Sequence, residues 1–470
     1  MREIGLRGAA RDILKNGLKA VDAGRLIKKA VRRDGSIITL KGNNAEAWID
    51  LEQFKRVYVV AFGKAAPPMA SAFLQTLKKR VNMGIVVCLP GVPFSWPGVA
   101  RVEASHPLPD ERCVQAAERI IELGRKVQPQ DIVFFLISGG ASSQVTLPLQ
   151  PLSLGEKITV IRSLMNAGAD IRELNVVRKH LSGVKGGKLG DAFKIAVVVN
   201  LIISDVIDDD VETIASGLTT WDSSTFEEAR EILRKYELWK KCSPVVRKLI
   251  EKGEKGEIEE TRKKETVEEG KIQNFIIGNN EVAVRAASER AREVGYRPII
   301  ISRQEKGEAR RGAKLWASLV HSISSRPEGL VEPLALISGG ELTVTVKGKG
   351  KGGRNTEFCL ALLHELEKKP LPKEIDWVAA SLATDGRDGP TEAAGALVSA
   401  STLKKAYRKS LALTRYLQDN DSFSFFQRVQ GLIVTGITRT NVMDLRLFLL
   451  RKLYPNHQAS KPINIEGDNP

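Results

Sequence analysis

Four stretches of this chain, RVYVVAFG (56–63), MGIVVCLPG (83–91), DIVFFLISGG (131–140) and KIAVVVNLIISD (194–205), are apolar almost without interruption, and each ends in Gly or Asp. A strand with one face in water alternates apolar and polar residues, whereas an unbroken apolar run needs cover on both faces. The segments between them, such as AAPPMASAFLQTLKKR and DERCVQAAERIIELGRKV, have helical spacing. Together they predict an α/β domain with a Rossmann-like, mostly parallel sheet. In such sheets ligands collect outside the carboxyl ends of the strands, so the Gly-, Ser- and Asp-rich ends are where chemistry is expected.

Residues 251–271, EKGEKGEIEETRKKETVEEGK, hold almost nothing that could enter a core. A second α/β pattern follows, in which the alternation of ELTVTVK predicts an antiparallel strand and hence a mixed sheet. The expected organisation is an N-terminal domain over 1–250, a charged connection over 251–272, a C-terminal α/β domain over 273–455 and an aperiodic tail over 456–470. The N-terminus reads as a charged amphipathic helix without a secretory core, and apolar runs such as IAVVVNLII are too short to span a bilayer. A cytoplasmic, non-membrane protein is expected, with homodimerisation left open.

The formal charge of +16 attracts anions. Aromatics are only 6% and no RRM, KH or zinc-finger signature occurs, so a small anionic ligand is expected rather than a nucleic acid. The four cysteines are scattered and the five histidines form no ligand cluster, which argues against zinc and against a disulfide framework.

LISGG occurs at Leu136–Gly140 and again at Leu336–Gly340, and both copies read as strand-end turns. In the first, Ser138, Gly139, Gly140 and Ser142 offer hydroxyls and amides to phosphate or a polar substrate. The second leads into VKGKGKGGRNTEF (346–358), where Gly350, Gly352 and Gly353 expose amides, Arg354 supplies a fork and Asn355 caps a helix. Gly348, Gly350 and Gly353 also satisfy G-x-G-x-x-G, a weak match on so charged a loop. Lys64 lies just past a buried strand at a helix start, a position that calls for an anionic partner. ELNVVRKHLSGVKGGKLG (173–190) gathers Asn175, Arg178, Lys179 and Lys185; a solvated helix end is the ordinary explanation, an anion site the sharper one. Asp205 and Asp209 in IISDVIDDD, and Asp385 in LATDGRDG, could hold Mg²⁺ or position a hydroxyl, although Asp also builds turns and caps. This equipment suits phosphoryl transfer.

These blocks, with SHPLPDE, IIGNNEVAVRAA, YLQDNDSFSFF and IVTGITRTNVMDL, resemble in order the D-glycerate 2-kinase family of the MOFRL type over nearly the whole chain. The resemblance implies two α/β domains with the active site in the cleft between them, a MOFRL-like region in the second, and phosphorylation of D-glycerate at its 2-hydroxyl by ATP with Mg²⁺. It assigns Lys64 and Arg354 as catalytic residues, and within that reading each is expected to be removable without unfolding. Asp385 is a further catalytic candidate, Asp205 and Asp209 are metal candidates, and Asn279 joins the substrate- and nucleotide-binding set. Ala141, Leu218, Ile437 and Arg439 depart from the family pattern without removing any of these groups. The rival readings are an NAD(P)-dependent hydroxypyruvate reductase and a non-enzymatic protein that binds anions or nucleic acid.

Overall fold

The computed structural model describes residues 5–43, 45–268, 270–325 and 330–453, so the expected tail at 456–470 lies outside the described residues. After helices Leu6–Ala20 and Ala23–Ala30, strands β1 (Val31–Asp34), β2 (Ile37–Lys41) and β3 (Glu46–Asp50) form a small antiparallel sheet. The four apolar runs become β4 (Arg56–Phe62), β5 (Met83–Cys88), β7 (Asp131–Ile137) and β8 (Val197–Ile203). With β6 (Val99–Glu103) and β9 (Ile272–Gly278) they make a six-stranded parallel sheet in the order β6-β5-β4-β7-β8-β9.

Burial on both faces explains the unbroken apolar runs. Val57, Val59 and Ala61 of β4 pack with helix Ala66–Leu77 on one side. Tyr58, Val60 and Phe62 pack with helix Glu111–Gly124 on the other. The second sheet contains β10 (Arg297–Glu308), β11 (Leu334–Thr343), β12 (Ile375–Ala383), β13 (Gly395–Ser399), β14 (Leu432–Ile433) and β15 (Asp444–Lys452). Its order is β10-β11-β15-β12-β13-β14; β10 and β11 are parallel and the other pairings antiparallel, so the sheet is mixed, although Glu341–Thr343 of the ELTVTVK stretch pair in parallel with β10 and the strand stops there.

Three expectations are corrected. The second LISGG does not end a strand: β11 runs on to Thr343, pairing Ser338 with Arg446 and Gly340 with Asp444 of β15. The first sheet does not close before residue 250, because β9 beyond the charged segment adds to its edge beside β8. Helix Leu6–Ala20 leaves the first domain altogether; Leu6, Ile13 and Leu14 are buried with Ala335, Ile337 and Leu447 of the second sheet. The chain therefore passes between the two sheets at both Val21 and Gly278. Among the described residues no helix is long and apolar enough to cross a membrane.

Ile13 is fully buried in this second core. Ile13→Ala is expected to cost about 2–5 kcal/mol, read as a lower midpoint of urea unfolding. If the N-terminal helix were an appendage, the midpoint would not move.

Candidate active site

The strand-end turns of the first sheet are laced to each other before they meet any ligand. The Lys64 amide donates to the Gly139 carbonyl at 2.8 Å, and the Gly63 amide to Gln144 Oε1 at 2.8 Å. The Ala65 amide donates to Ser138 Oγ at 3.0 Å. Ser138 is thus a buried builder of the turn. Asp205, just past β8, presses its carboxylate against Gly139, where a Cβ would collide with it. Only glycine allows this approach. A Cβ on Gly140 would lie 3.2 Å from Lys64 Cγ and 2.9 Å from His106 Cδ2, so these groups share one wall.

The opposite wall comes from the second sheet. Asp385 follows β12 and its Oδ2 meets Lys64 Nζ at 2.9 Å. Asn441, in the segment leading to β15, donates to Asp205 Oδ2 at 3.0 Å. Arg354 opens helix Arg354–Lys368 and holds the fully buried Asp444 with two bonds, Nε to Oδ2 at 2.7 Å and Nη2 to Oδ1 at 2.9 Å. Its Nη1 reaches Glu341 Oε1 at 2.9 Å.

These neighbours set the protonation of the crevice. Burial pushes the Asp205 carboxyl up, against the pull of Lys64. Burial is also the main cause of the rise of Glu341 to about 7; Arg354 opposes it, and Asp444, Asp205 and Asp385 add to it. Arg354 is held charged by Asp444 and Glu341 despite burial. Burial and then Lys64 push the His106 imidazole down to about 4, so it is neutral at physiological pH. Asp205, Glu341, Asp385 and Asp444 thus face the two cations Lys64 and Arg354, an excess of carboxyl groups over cations. Among the described residues no three His, Cys, Asp or Glu side chains are gathered so as to hold a metal by themselves.

Lys64, Gly139, Gly140, Asp205 and Asp385 lie together, and Arg354 joins them through Glu341. The glycine loop does not become an open cradle. The amides of Lys347 and Gly348 donate to Asn420 Oδ1, that of Lys349 to Asp419 Oδ1, that of Gly350 to the Asp419 carbonyl and that of Lys351 to Asp421 Oδ1. Gly350 and Gly352 are needed because residues 419–422 lie against them, and Gly353 because Asp388 does. Asp388 accepts the Asn355 and Thr356 amides, both at 2.8 Å, and so caps the helix; Asn355 Nδ2 reaches Asp444 at 3.1 Å. Asp209 turns to Asn279 Nδ2 and faces a neighbouring crevice of about 480 Å³ shared with Ser302 and Arg303. Of the basic stretch, Lys179 is consumed by Asp222 at 2.6 Å in a buried ion pair. Asn175, Arg178, Lys185 and Ser142 form a separate network one turn behind Gly140. Lys185 Nζ donates to Ser142 Oγ at 2.8 Å, and Ser142 and Ser216 hydroxyls lie 2.9 Å apart. Ser216 donates to Asn175 Oδ1 at 3.1 Å, and Arg178 Nη1 to the same oxygen at 3.3 Å.

Sequence reasoning missed His106, Glu341, Asn441 and Asp444 as members of the site. His106 was visible within SHPLPDE as a lone histidine before proline. Asp444 carries no local signal, since its meaning comes from an arginine 90 residues away.

Comparison with known proteins points to one family. The family model described as a domain of unknown function, DUF4147, matches residues 9–251, and that of the MOFRL family matches 334–444. A glycerate 2-kinase of Pyrococcus horikoshii is 37% identical over 95% of this chain and 96% of its own length. The crystal structure of glycerate kinase from Thermotoga maritima superposes with a TM-score of 0.80 at 35% identity, covering 95% of this chain and 99% of that one. A relative from Agrobacterium vitis named putative hydroxypyruvate reductase is 37% identical, over 84% of this chain and 99% of its own length. With two α/β sheets and matches over nearly its whole length, the chain belongs to the D-glycerate 2-kinase family of the MOFRL type.

Proposed function

We propose that the protein transfers the terminal phosphoryl group of ATP in line to the 2-hydroxyl of D-glycerate, giving ADP and 2-phosphoglycerate. The observation that carries this reading is the Lys64–Asp385 pair at 2.9 Å, which sets a cation and a carboxylate from two different sheets in one crevice beside Asp205. Phosphoryl transfer asks the protein mainly for positioning and charge stabilisation. Lys64 Nζ neutralises charge on the transferring oxygens. Arg354 keeps two of its donors on Asp444, and its Nη1, shared with Glu341, is the one a glycerate carboxylate can take. Asp385 orients the attacking hydroxyl and accepts its proton.

The surplus of carboxylates fits a hard divalent cation, which needs only one or two protein carboxylates when phosphates and waters complete its shell. With Asp385 left to the hydroxyl, Asp205 would hold Mg²⁺. When bound, it supplies charge neutralisation to the phosphate oxygens. Asp209, engaged with Asn279, is left out of this set. The reductase reading loses its main sequence support, because the amides of the G-x-G-x-x-G stretch are spent on residues 419–421.

Incubation with ATP, Mg²⁺ and D-glycerate is expected to yield ADP and 2-phosphoglycerate, separated from the 3-isomer by chromatography, and EDTA to stop it. NADH oxidation with hydroxypyruvate and no ADP formation would sink the proposal. Lys64→Ala is expected to lower kcat by roughly two or more powers of ten with an unchanged unfolding midpoint. Arg354→Ala differs from the expectation that both can be removed without unfolding. It breaks the paired bonds to the buried Asp444, which keeps only Asn355 Nδ2 at 3.1 Å and Arg446 Nη2 at 3.4 Å, at a cost of up to about 3–5 kcal/mol, so stability and activity fall together. Glu341, raised to about 7 from an ordinary 4.5, takes up a proton on folding, so its contribution weakens stability as pH rises through that interval. Ligand-free Glu341→Gln is therefore expected to be more stable than wild type above pH 7, the difference closing as pH falls toward 4.5.

A further inference from the structure

Lys157, on helix Leu154–Asn166, is a buried cation with no counterpart. It is only 4% exposed and its Nζ has no hydrogen-bond partner. The charges that act on it are those of Lys188 and Arg178, both positive. Lys185, 2% exposed, feels Lys157, Arg178 and Lys179 in turn. Acids stand near Lys188, where Glu260, Asp222, Asp191 and Glu259 act and Nζ donates to the Ser182 carbonyl at 3.1 Å, but none of them acts on Lys157. A thiol, Cys113, acts on Lys185 from helix Glu111–Gly124.

An isolated buried ammonium costs several kcal/mol, and bringing like charges beside it costs more. Packing alone does not explain the arrangement, because a methionine of similar length would fill the same space without the penalty. The cost is offset when an anion enters. Hydroxyls are in place for one: Ser142 and Ser216, 2.9 Å apart, link Lys185 to Asn175 and Arg178. Ser142 and Arg178 are half-buried, so these two members reach solvent. Ser142 lies two residues beyond Gly140, which touches Lys64, so the cluster continues the reaction crevice along the first sheet.

We propose that Lys157, Arg178 and Lys185, with the Ser142 and Ser216 hydroxyls, form a phosphate subsite that holds the non-transferred phosphates of the donor nucleotide. This rests on the kinase reading and deepens it. Lys157 enters the site as the group that becomes fully charged when the phosphate arrives. Burial, then Lys188 and Arg178, hold it at about 7 in the free protein. An anion beside it raises that value, so binding draws a proton from solvent.

The test is calorimetric titration of the full chain at pH 8 with MgADP, inorganic phosphate and D-glycerate, each in two buffers of different ionisation enthalpy. MgADP binding to wild type is expected to take up close to one proton. Lys157→Met is expected to weaken MgADP by about tenfold or more, abolish the uptake, leave D-glycerate affinity unchanged and raise the ligand-free unfolding temperature. Unchanged MgADP affinity and proton uptake in Lys157→Met would overturn the subsite. So would a loss confined to D-glycerate, which would make the cluster a carboxylate site. Phosphate binding with proton uptake in a protein that neither binds MgADP nor turns over ATP would overturn the nucleotide assignment and the kinase reading, while sparing the anion site.

Discussion

The ion pair of Lys64 and Asp385, 321 residues apart in sequence, joins the strand ends of the two sheets. Each sheet alone would present an unbalanced loop to solvent: a lysine against the positive end of a helix in one, carboxylates in the other. Apposed, the two surfaces compensate each other incompletely. Arg354 and Asp444 close one part of the balance inside the second domain, in a geometry that satisfies a buried carboxylate with parallel bonds. What remains is an excess of acid around Asp205, Asp385 and Glu341 and an excess of base around Lys157 and Lys185. On the function proposed above, the first would hold a divalent cation and the second a polyanion, the two components of a metal nucleotide.

The two glycine-rich stretches serve this balance in different ways. At Gly139 the missing side chain lets Asp205 close on the turn after β7, so a carboxylate and the Lys64 loop share one small volume. In the loop around Gly350 the missing side chains let another segment of the same chain close in, and residues 419–421 absorb the amides. That second loop is therefore a brace. It fixes the start of helix Arg354–Lys368, and with it the direction of the Arg354 fork, while Asp388 caps the helix from below.

Much of the fold was legible because burial on both faces leaves a mark in every strand. The runs that became β4, β5, β7 and β8 needed no partner to be recognised. β6, with its alternating VARVE, and β9, which follows a charged segment, carry weaker marks, and the boundary between the domains was misread accordingly. The N-terminal helix showed its amphipathic character but not its target, since an apolar stripe does not say which sheet covers it.

For the site, the sequence by itself determined which residue types stand at the strand ends: Lys64, Ser138, Gly139, Asp205, Asp385 and the glycine loop before Arg354. Backbone period and burial fix those positions locally. Only the tertiary structure decided which of them are free for a ligand. It tied Lys179 to Asp222, spent the loop amides on Asp419 and Asp421, and left Lys157 without a partner. The physical reason is that a charge or an amide acquires its role from what lies within hydrogen-bonding distance in space, and those neighbours come from segments far apart in sequence.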